Sequence, residues 1–162
     1  MTYRYYQGPA VRWPFGYGLS YTTFEYSGVK LQKATYQPCE PILVTVTVKN
    51  TGTVDSDEVV QIYVKQPGAS VPAPRVRLAA FARVHVPKAT SKTVTLAVKP
   101  AAHTVVTSDE GGEAIYVASA DVKIEKGEIE LHVGGGQPDY YADTLATKAT
   151  IAAAAPLSSC DK

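Results

Sequence analysis

Charge of one sign is what this chain lacks most. Its 16 Lys and Arg balance 15 Asp and Glu for a net charge of +1, and no Lys/Arg run exceeds two residues. Such a balance offers no electrostatic footprint for nucleic acid or an anionic membrane. Long apolar runs are missing too: no stretch approaches the roughly 18 residues needed to span a bilayer. The N-terminus has no apolar signal core, as expected of a chain whose signal was removed or of part of a longer chain. Asn50 is the sole asparagine and Thr-Gly follows it, so no N-x-S/T glycosylation acceptor exists. Cysteine is scarce. Cys39 and Cys160 have neither C-x-x-C nor metal-ligand spacing. They read either as two thiols or as a bridge fastening the C-terminal end to the start of a strand, as in a secreted protein.

Helical periodicity is nearly absent, and what stands in its place is β pattern. Ile42-Leu-Val-Thr-Val-Thr-Val48 alternates valine with threonine, the period-2 signature of a strand with one buried face. Val59 to Val64, Leu78 to Val86 and Lys92 to Val98 read as further strands. Gly127 to Val133 sets Ile129, Leu131 and Val133 against Glu128, Glu130 and His132. His103 to Val106 reads as a brief strand before an Asp109-Glu-Gly-Gly112 turn, and Ile115 to Ile124 is β-prone. Ala142 to Ala155 holds good helix formers, although its threonines suit a final strand equally. Short strands at regular intervals between turn signals predict an all-β, immunoglobulin-like sandwich.

The aromatics gather at the front. Tyr3, Tyr5, Tyr6, Trp13, Phe15, Tyr17 and Tyr21 fall within the first 21 residues, more apolar surface than a free, solvated segment normally carries. Pro14 fixes its own backbone, Gly16 and Gly18 admit positive φ, and Leu19 to Tyr26 reads as an entering strand. The run Pro-Phe-Gly-Tyr-Gly-Leu-Ser-Tyr-Thr-Thr-Phe-Glu-Tyr-Ser, residues 14–27, closely resembles the linker that enters the fibronectin type III-like domain at the C-terminal end of glycoside hydrolase family 3 enzymes, the β-glucosidases and β-xylosidases. Residues 44–67, VTVTVKNTGTVDSDEVVQIYVKQP, independently resemble the same domain, and the last alternating strand is similar to its closing strand. The resemblance covers roughly residues 3 to 134 and implies a fibronectin type III-like sandwich.

That resemblance implies no catalysis by this chain. Family 3 enzymes use an aspartate nucleophile on a barrel domain and an acid/base residue on a following domain, both upstream of the fibronectin-like domain, and no residue here corresponds to either. Another carboxylate pair at the spacing that glycoside hydrolysis requires is not evident. Asp109, Glu110 and Glu113 read as solvated turn residues, and so do Asp55, Asp57 and Glu58, which form no EF-hand loop. His85, His103 and His132 are dispersed and read as exposed strand histidines, Ser20 and Ser70 lack a nucleophile elbow, and Gly134-Gly-Gly136 reads as flexible backbone. No metal and no cofactor is expected. Ser70, Pro72 and Pro74 mark a Pro-rich loop suited to O-linked modification, or simply a loop stiffened by proline.

The expected organisation is an aromatic arm over 1–18, the sandwich over 19–134, and a tail over 135–162 serving as linker, added strand or assembly arm. The resemblance implies a non-catalytic accessory module of a secreted, extracellular family 3-type protein, supporting catalytic domains and contacting polysaccharide. The alternative is an autonomous extracellular structural subunit that self-assembles with neighbouring copies through its terminal arms. Either way the aromatic arm is expected to pack on protein surface, the catalytic domains in one case and a neighbouring chain in the other.

Overall fold

The computed structural model describes residues 2–9, 11–107, 121–140 and 144–160. Among the described residues eleven strands run in chain order: β1 (Phe24–Leu31), β2 (Thr35–Tyr36), β3 (Ile42–Asn50), β4 (Ser56–Lys65), β5 (Arg77–Val86), β6 (Ser91–Val98), β7 (Thr104–Thr107), β8 (Asp121–Ile124), β9 (Gly127–Gly134), β10 (Leu145–Ile151) and β11 (Ala155–Pro156). Two short 3-10 turns, Pro100–His103 and Leu157–Cys160, complete the described elements. A three-stranded sheet ordered β1-β3-β6 packs against a five-stranded sheet ordered β2-β10-β9-β4-β5. A small third sheet, β11-β8-β7, joins the same core through Ile124. The fold is an all-β sandwich.

Alternation builds this core. On β3, Ile42, Val44, Val46 and Val48 are wholly buried, while Thr45 and Thr47 point outward and meet Thr95 and Thr93 of β6, hydroxyl to hydroxyl, at 2.9 and 3.3 Å. From the opposite sheet Val60, Ile62 and Val64 of β4 and Ile129, Leu131 and Val133 of β9 fill the other half. Asn50, at the end of β3, is buried and fully engaged. Its Nδ2 donates to the carbonyls of Val54 (2.8 Å) and Val86 (3.0 Å), and its Oδ1 accepts from Thr22 Oγ1 (2.6 Å) and Gly52 N (3.1 Å). One side chain thus ties the lead-in to β1, the β3–β4 turn and the end of β5.

Several expectations change. The entering strand begins at Phe24, not Leu19, and continues to Leu31 through a bulge at Gly28, whose φ is 64°. His103 ends a 3-10 turn, and the strand starts after it. Past residue 134 the chain continues in the same sheet. Residues Leu145–Ile151 form β10, antiparallel to β9 along its whole length and briefly parallel to β2. The helix formers of that stretch yield to the ladder offered from both sides, since strand preference follows context. The Asp109–Gly112 turn, Glu113 and most of the Ile115–Ile124 stretch lie outside the described residues.

Candidate functional site: an aromatic face on the five-stranded sheet

β4 breaks the alternation. Its outer-face residues Gln61 and Tyr63 are as buried as the core residues between them, 6% and 0% exposed. The cover is the N-terminal arm. Tyr17 N donates to Pro14 O (3.0 Å), closing a tight turn with Gly16 at φ 77°. That turn lies on β4. Gln61 Nε2 donates to the carbonyls of Gly16 (3.2 Å) and Gly135 (2.9 Å), and Tyr63 donates its hydroxyl hydrogen to Gln61 Oε1 (2.7 Å). The ring of Tyr3 stacks on Phe15 with centroids 3.9 Å apart, its hydroxyl accepts from Leu78 N (3.0 Å), and Arg75 N donates to Arg4 O (2.8 Å).

Glycine is obligatory at the contact. A methyl group on Gly16 would stand 2.6 Å from the Tyr63 hydroxyl and still closer to Gln61, at a φ that L residues resist. Gly16→Ala should therefore cost about 1–3 kcal/mol and lift the arm. Limited proteolysis within residues 2–17 at native conditions, beside a thermal melt, reads both effects. An arm as protected as in the parent chain refutes the seating.

The other arm rings face outward. Trp13 (61% exposed) tilts against Tyr17 with centroids 4.9 Å apart, and Arg12 stands 5.5 Å over the Trp13 ring. Tyr6 turns back, its hydroxyl donating to Pro9 O at 3.1 Å. Tyr5, Tyr17, Leu19 and Tyr21 are exposed, the last two at 86% and 95%, as are Phe81 of β5 and, less so, Val59 of β4. Phe15, Tyr17, Leu19, Val59 and Phe81 line one pocket of about 400 Å³, with Glu58 and Gln61 on its polar side. Burial raises the Glu58 carboxyl above its ordinary range against the pull of Tyr26, whose hydroxyl donates to it at 2.5 Å. The arm therefore has two sides: Tyr3 and the Phe15–Gly16 backbone seat it on its own sheet, while the Phe15 ring (43% exposed) joins Tyr5, Trp13, Tyr17, Leu19 and Tyr21 in presenting apolar surface to solvent.

The remaining sequence-selected residues lie apart from this face. Cys39 and Cys160 are joined, with Cα atoms 5.0 Å apart. Ser70 is exposed on the β4–β5 loop beside Pro72 and Pro74, and both its N–H and hydroxyl donate to the Glu125 carboxylate. Asp57 and Glu58 are strand residues rather than turn residues. Asp57 accepts from Arg83 Nε and meets His85 Nδ1, each at 2.7 Å, and those two partners hold its carboxyl below the usual range. Asp55 accepts from Lys88 N at 2.8 Å. Of the histidines only His85 is exposed; His132 is half-covered and His103 is 1% exposed. Gly135 is no flexible joint, because a methyl group there would meet Glu58 Oε1 at 2.7 Å. Among the described residues no three His, Cys, Asp or Glu are grouped to hold a metal, and no helix is long and apolar enough to cross a membrane.

Sequence reasoning overlooked Gln61, Tyr63, Leu78 and Phe81. The available signal was a tyrosine and a glutamine on the outer register of a strongly apolar strand, residues that need a cover and a hydrogen-bond partner.

Comparison with known proteins places this surface in context. The fibronectin type III-like domain family matches residues 58–137. An exo-alpha-(1->6)-L-arabinopyranosidase of Bifidobacterium longum is 39% identical over 147 residues, 89% of this chain and 18% of that enzyme. A putative beta-xylosidase of Formosa agariphila is 42% identical over 84% of this chain and 17% of its own length. Among solved structures, a beta-glucosidase of Erythrobacter marinus superposes with a TM-score of 0.73 at 25% identity, over 92% of this chain and 18% of that one. The GH3 beta-glucosidase of Bifidobacterium adolescentis gives 0.70 at 31% identity, over 88% and 19%. The chain thus spans under a fifth of the length of the relatives it matches.

Proposed function

The chain belongs to the fibronectin type III-like domains of family 3 glycoside hydrolases, and we propose that it is a non-catalytic accessory module whose aromatic face docks on the catalytic domains of such an enzyme. The observation that carries this reading is the two-sided arm. Tyr3 and the Phe15–Gly16 backbone fix it to its own sheet, so Phe15, Tyr17, Leu19 and Phe81 line one preformed apolar pocket, with exposed Tyr21 two residues beyond Leu19. Contiguous exposed apolar surface of this kind marks an interaction site. A segment seated at home is also a poor candidate for exchange between copies, which favours docking over the self-assembling alternative. The Cys39–Cys160 bond supports an extracellular setting, where the module would bring the enzyme to polysaccharide.

Two results are expected. Incubated with aryl β-glucosides and β-xylosides, the chain alone releases no aglycone above buffer; turnover that survives repurification would overturn the non-catalytic assignment. Exchanged for the matching domain of the Bifidobacterium adolescentis enzyme, it yields an active chimera. Leu19→Asp with Tyr21→Asp then speeds thermal inactivation of that chimera by tenfold or more, since each ring or leucine buried there contributes roughly 1.5–3 kcal/mol, while KM stays unchanged. Inactivation at the rate of the unmutated chimera removes the docking role.

A further inference from the structure

A second surface lies where the two sheets end together. β5 closes the order of the five-stranded sheet and β6 that of the three-stranded sheet, and the two run side by side. No described strand pairs with the outer side of either. Edge strands present a row of N–H and C=O groups, and natural sheets cover or blunt them. Here the arm covers only the first part. Tyr3 takes the Leu78 N–H, Arg4 takes the Arg75 N–H, and the ladder slips at the next step, between Ile62 and Tyr63 of the partner strand. From Ala80 to Val84 the pairing of β5 with β4 is regular and no described strand pairs with its other side; beyond it the carbonyls of His85 and Val86 already accept from Lys92 Nζ and Asn50 Nδ2.

Between the two edges runs an open groove of about 940 Å³. Its apolar floor is small, with Ala79, Ala80, Leu96 and Ala102 among its residues, which leaves room for the side chains of an incoming strand. Among the described residues its charged lining is of one sign: Arg4, Arg77 and Lys99, with no Asp or Glu. Arg77 is held in place by carbonyls, donating to those of Thr104 (3.1 Å), Ala102 (3.3 Å) and Ala101 (3.4 Å). Burial and the neighbouring Arg4 charge both push its guanidinium below the ordinary value. The ion pairs of the described residues engage Arg75 and Arg83, but neither Arg4 nor Arg77. Two close cations over an apolar floor favour an anionic occupant, and the open ladder favours a backbone.

We propose that the β5–β6 groove receives an extended acidic peptide segment, which adds to β5 as a further strand and sets its carboxylates at the Arg4–Arg77 end. Main-chain bonds along Ala80 to Val84 give such a segment its hold, and the arginines give it its register and its preference for acid. An anionic polysaccharide would meet the same arginines but has no amide row to match the edge. The groove meets the aromatic face at Leu78 and Phe81, which line both, but Arg4, Arg77, Lys99 and the β6 residues line the groove alone, and the test uses the chain with no catalytic domain docked.

The test uses the 162-residue chain, uniformly 15N-labelled, and three fluorescent hexapeptides. One alternates glutamate and valine, a second alternates lysine and valine, and a third repeats the first with alternate backbone amides methylated. The first should bind saturably and shift the amides of Ala79 to Arg83 without moving those of Leu19 and Tyr21. The lysine and methylated peptides should bind about tenfold more weakly or worse. Arg77→Gln and Arg4→Gln should each weaken the glutamate peptide comparably; Arg4 sits on the exposed arm, so its variant keeps the test valid if the first misfolds. Equal binding of all three peptides, indifference to Arg4→Gln, or no binding refutes the proposal. Displacement of the peptide by an oligogalacturonate with the same arginine dependence also overturns it, by making the groove an anionic-sugar site.

Discussion

Reduction of the Cys39–Cys160 bond should lower the melting temperature of this chain by roughly 10–20 °C. The two cysteines are 121 positions apart, so the bond constrains nearly the whole unfolded chain. For a loop of that length the entropy model gives about 4–5 kcal/mol, and a domain of this size moves about 2–4 °C per kcal/mol. The native side adds a local argument. Cys39 lies between β2 and β3, and Cys160 ends the 3-10 turn Leu157–Cys160, which packs its Leu157 against the core. Between them β10 enters the sheet beside β2, which offers it only two paired residues. Without the bond, the segment from β10 onward relies on β9 and short contacts. Thermal unfolding followed by circular dichroism, with and without reductant, reads the effect; the Cys39→Ser, Cys160→Ser double variant excludes stray thiol chemistry. A shift below about 3 °C would mean that the unfolded chain gains little from release, and the argument fails.

Legibility followed the range of the interactions. β3 and β9 were readable because period-2 alternation is a local consequence of one buried face, and both strands bury the valines, isoleucines and leucine that the pattern selects. β4 was readable as a strand but not as a site. Its outer residues Gln61 and Tyr63 are covered by Phe15 and Gly16, some 45 positions away in sequence, and no local period records such a partner. Aromatic density announced that the arm meets protein surface, yet ring count cannot say which rings turn inward. That division depends on Gly16 fitting against Tyr63. The last strand was ambiguous for the opposite reason: Leu145–Ile151 has weak local preference and takes its state from β9. His103 was misplaced because a 3-10 turn through Pro100 carries it inward, where an alternating strand would have left it outside.

That histidine makes the fold acid-sensitive in a definite window. His103 is buried, neither ring nitrogen has a hydrogen-bond partner, and its pKa is lowered to about 4, chiefly by burial and further by the Arg77 charge. The ring is therefore neutral in the fold. The unfolded chain, with an ordinary value near 6.5, takes up its proton first, so the unfolded state binds more protons as pH falls below 6.5. Stability contributed by the neutral ring is whole above that value and is lost as pH drops toward 4. By linkage the loss is roughly 3 kcal/mol across the window and about 2 kcal/mol by pH 4.5. Other groups act differently. Glu40 and Asp57, whose carboxyls are lowered, lose their share mainly at lower pH, and Glu58, whose carboxyl is raised, works in the opposite direction. His132, also lowered, adds to the loss, so the informative quantity is a difference between proteins. His103→Leu removes the titrating ring while keeping a side chain of similar bulk in the same buried place. Urea unfolding at pH 7 and pH 4.5 should show the parent chain losing about 2 kcal/mol more than the variant. Equal losses would mean that the His103 ring takes up its proton in the folded chain as readily as in the unfolded one.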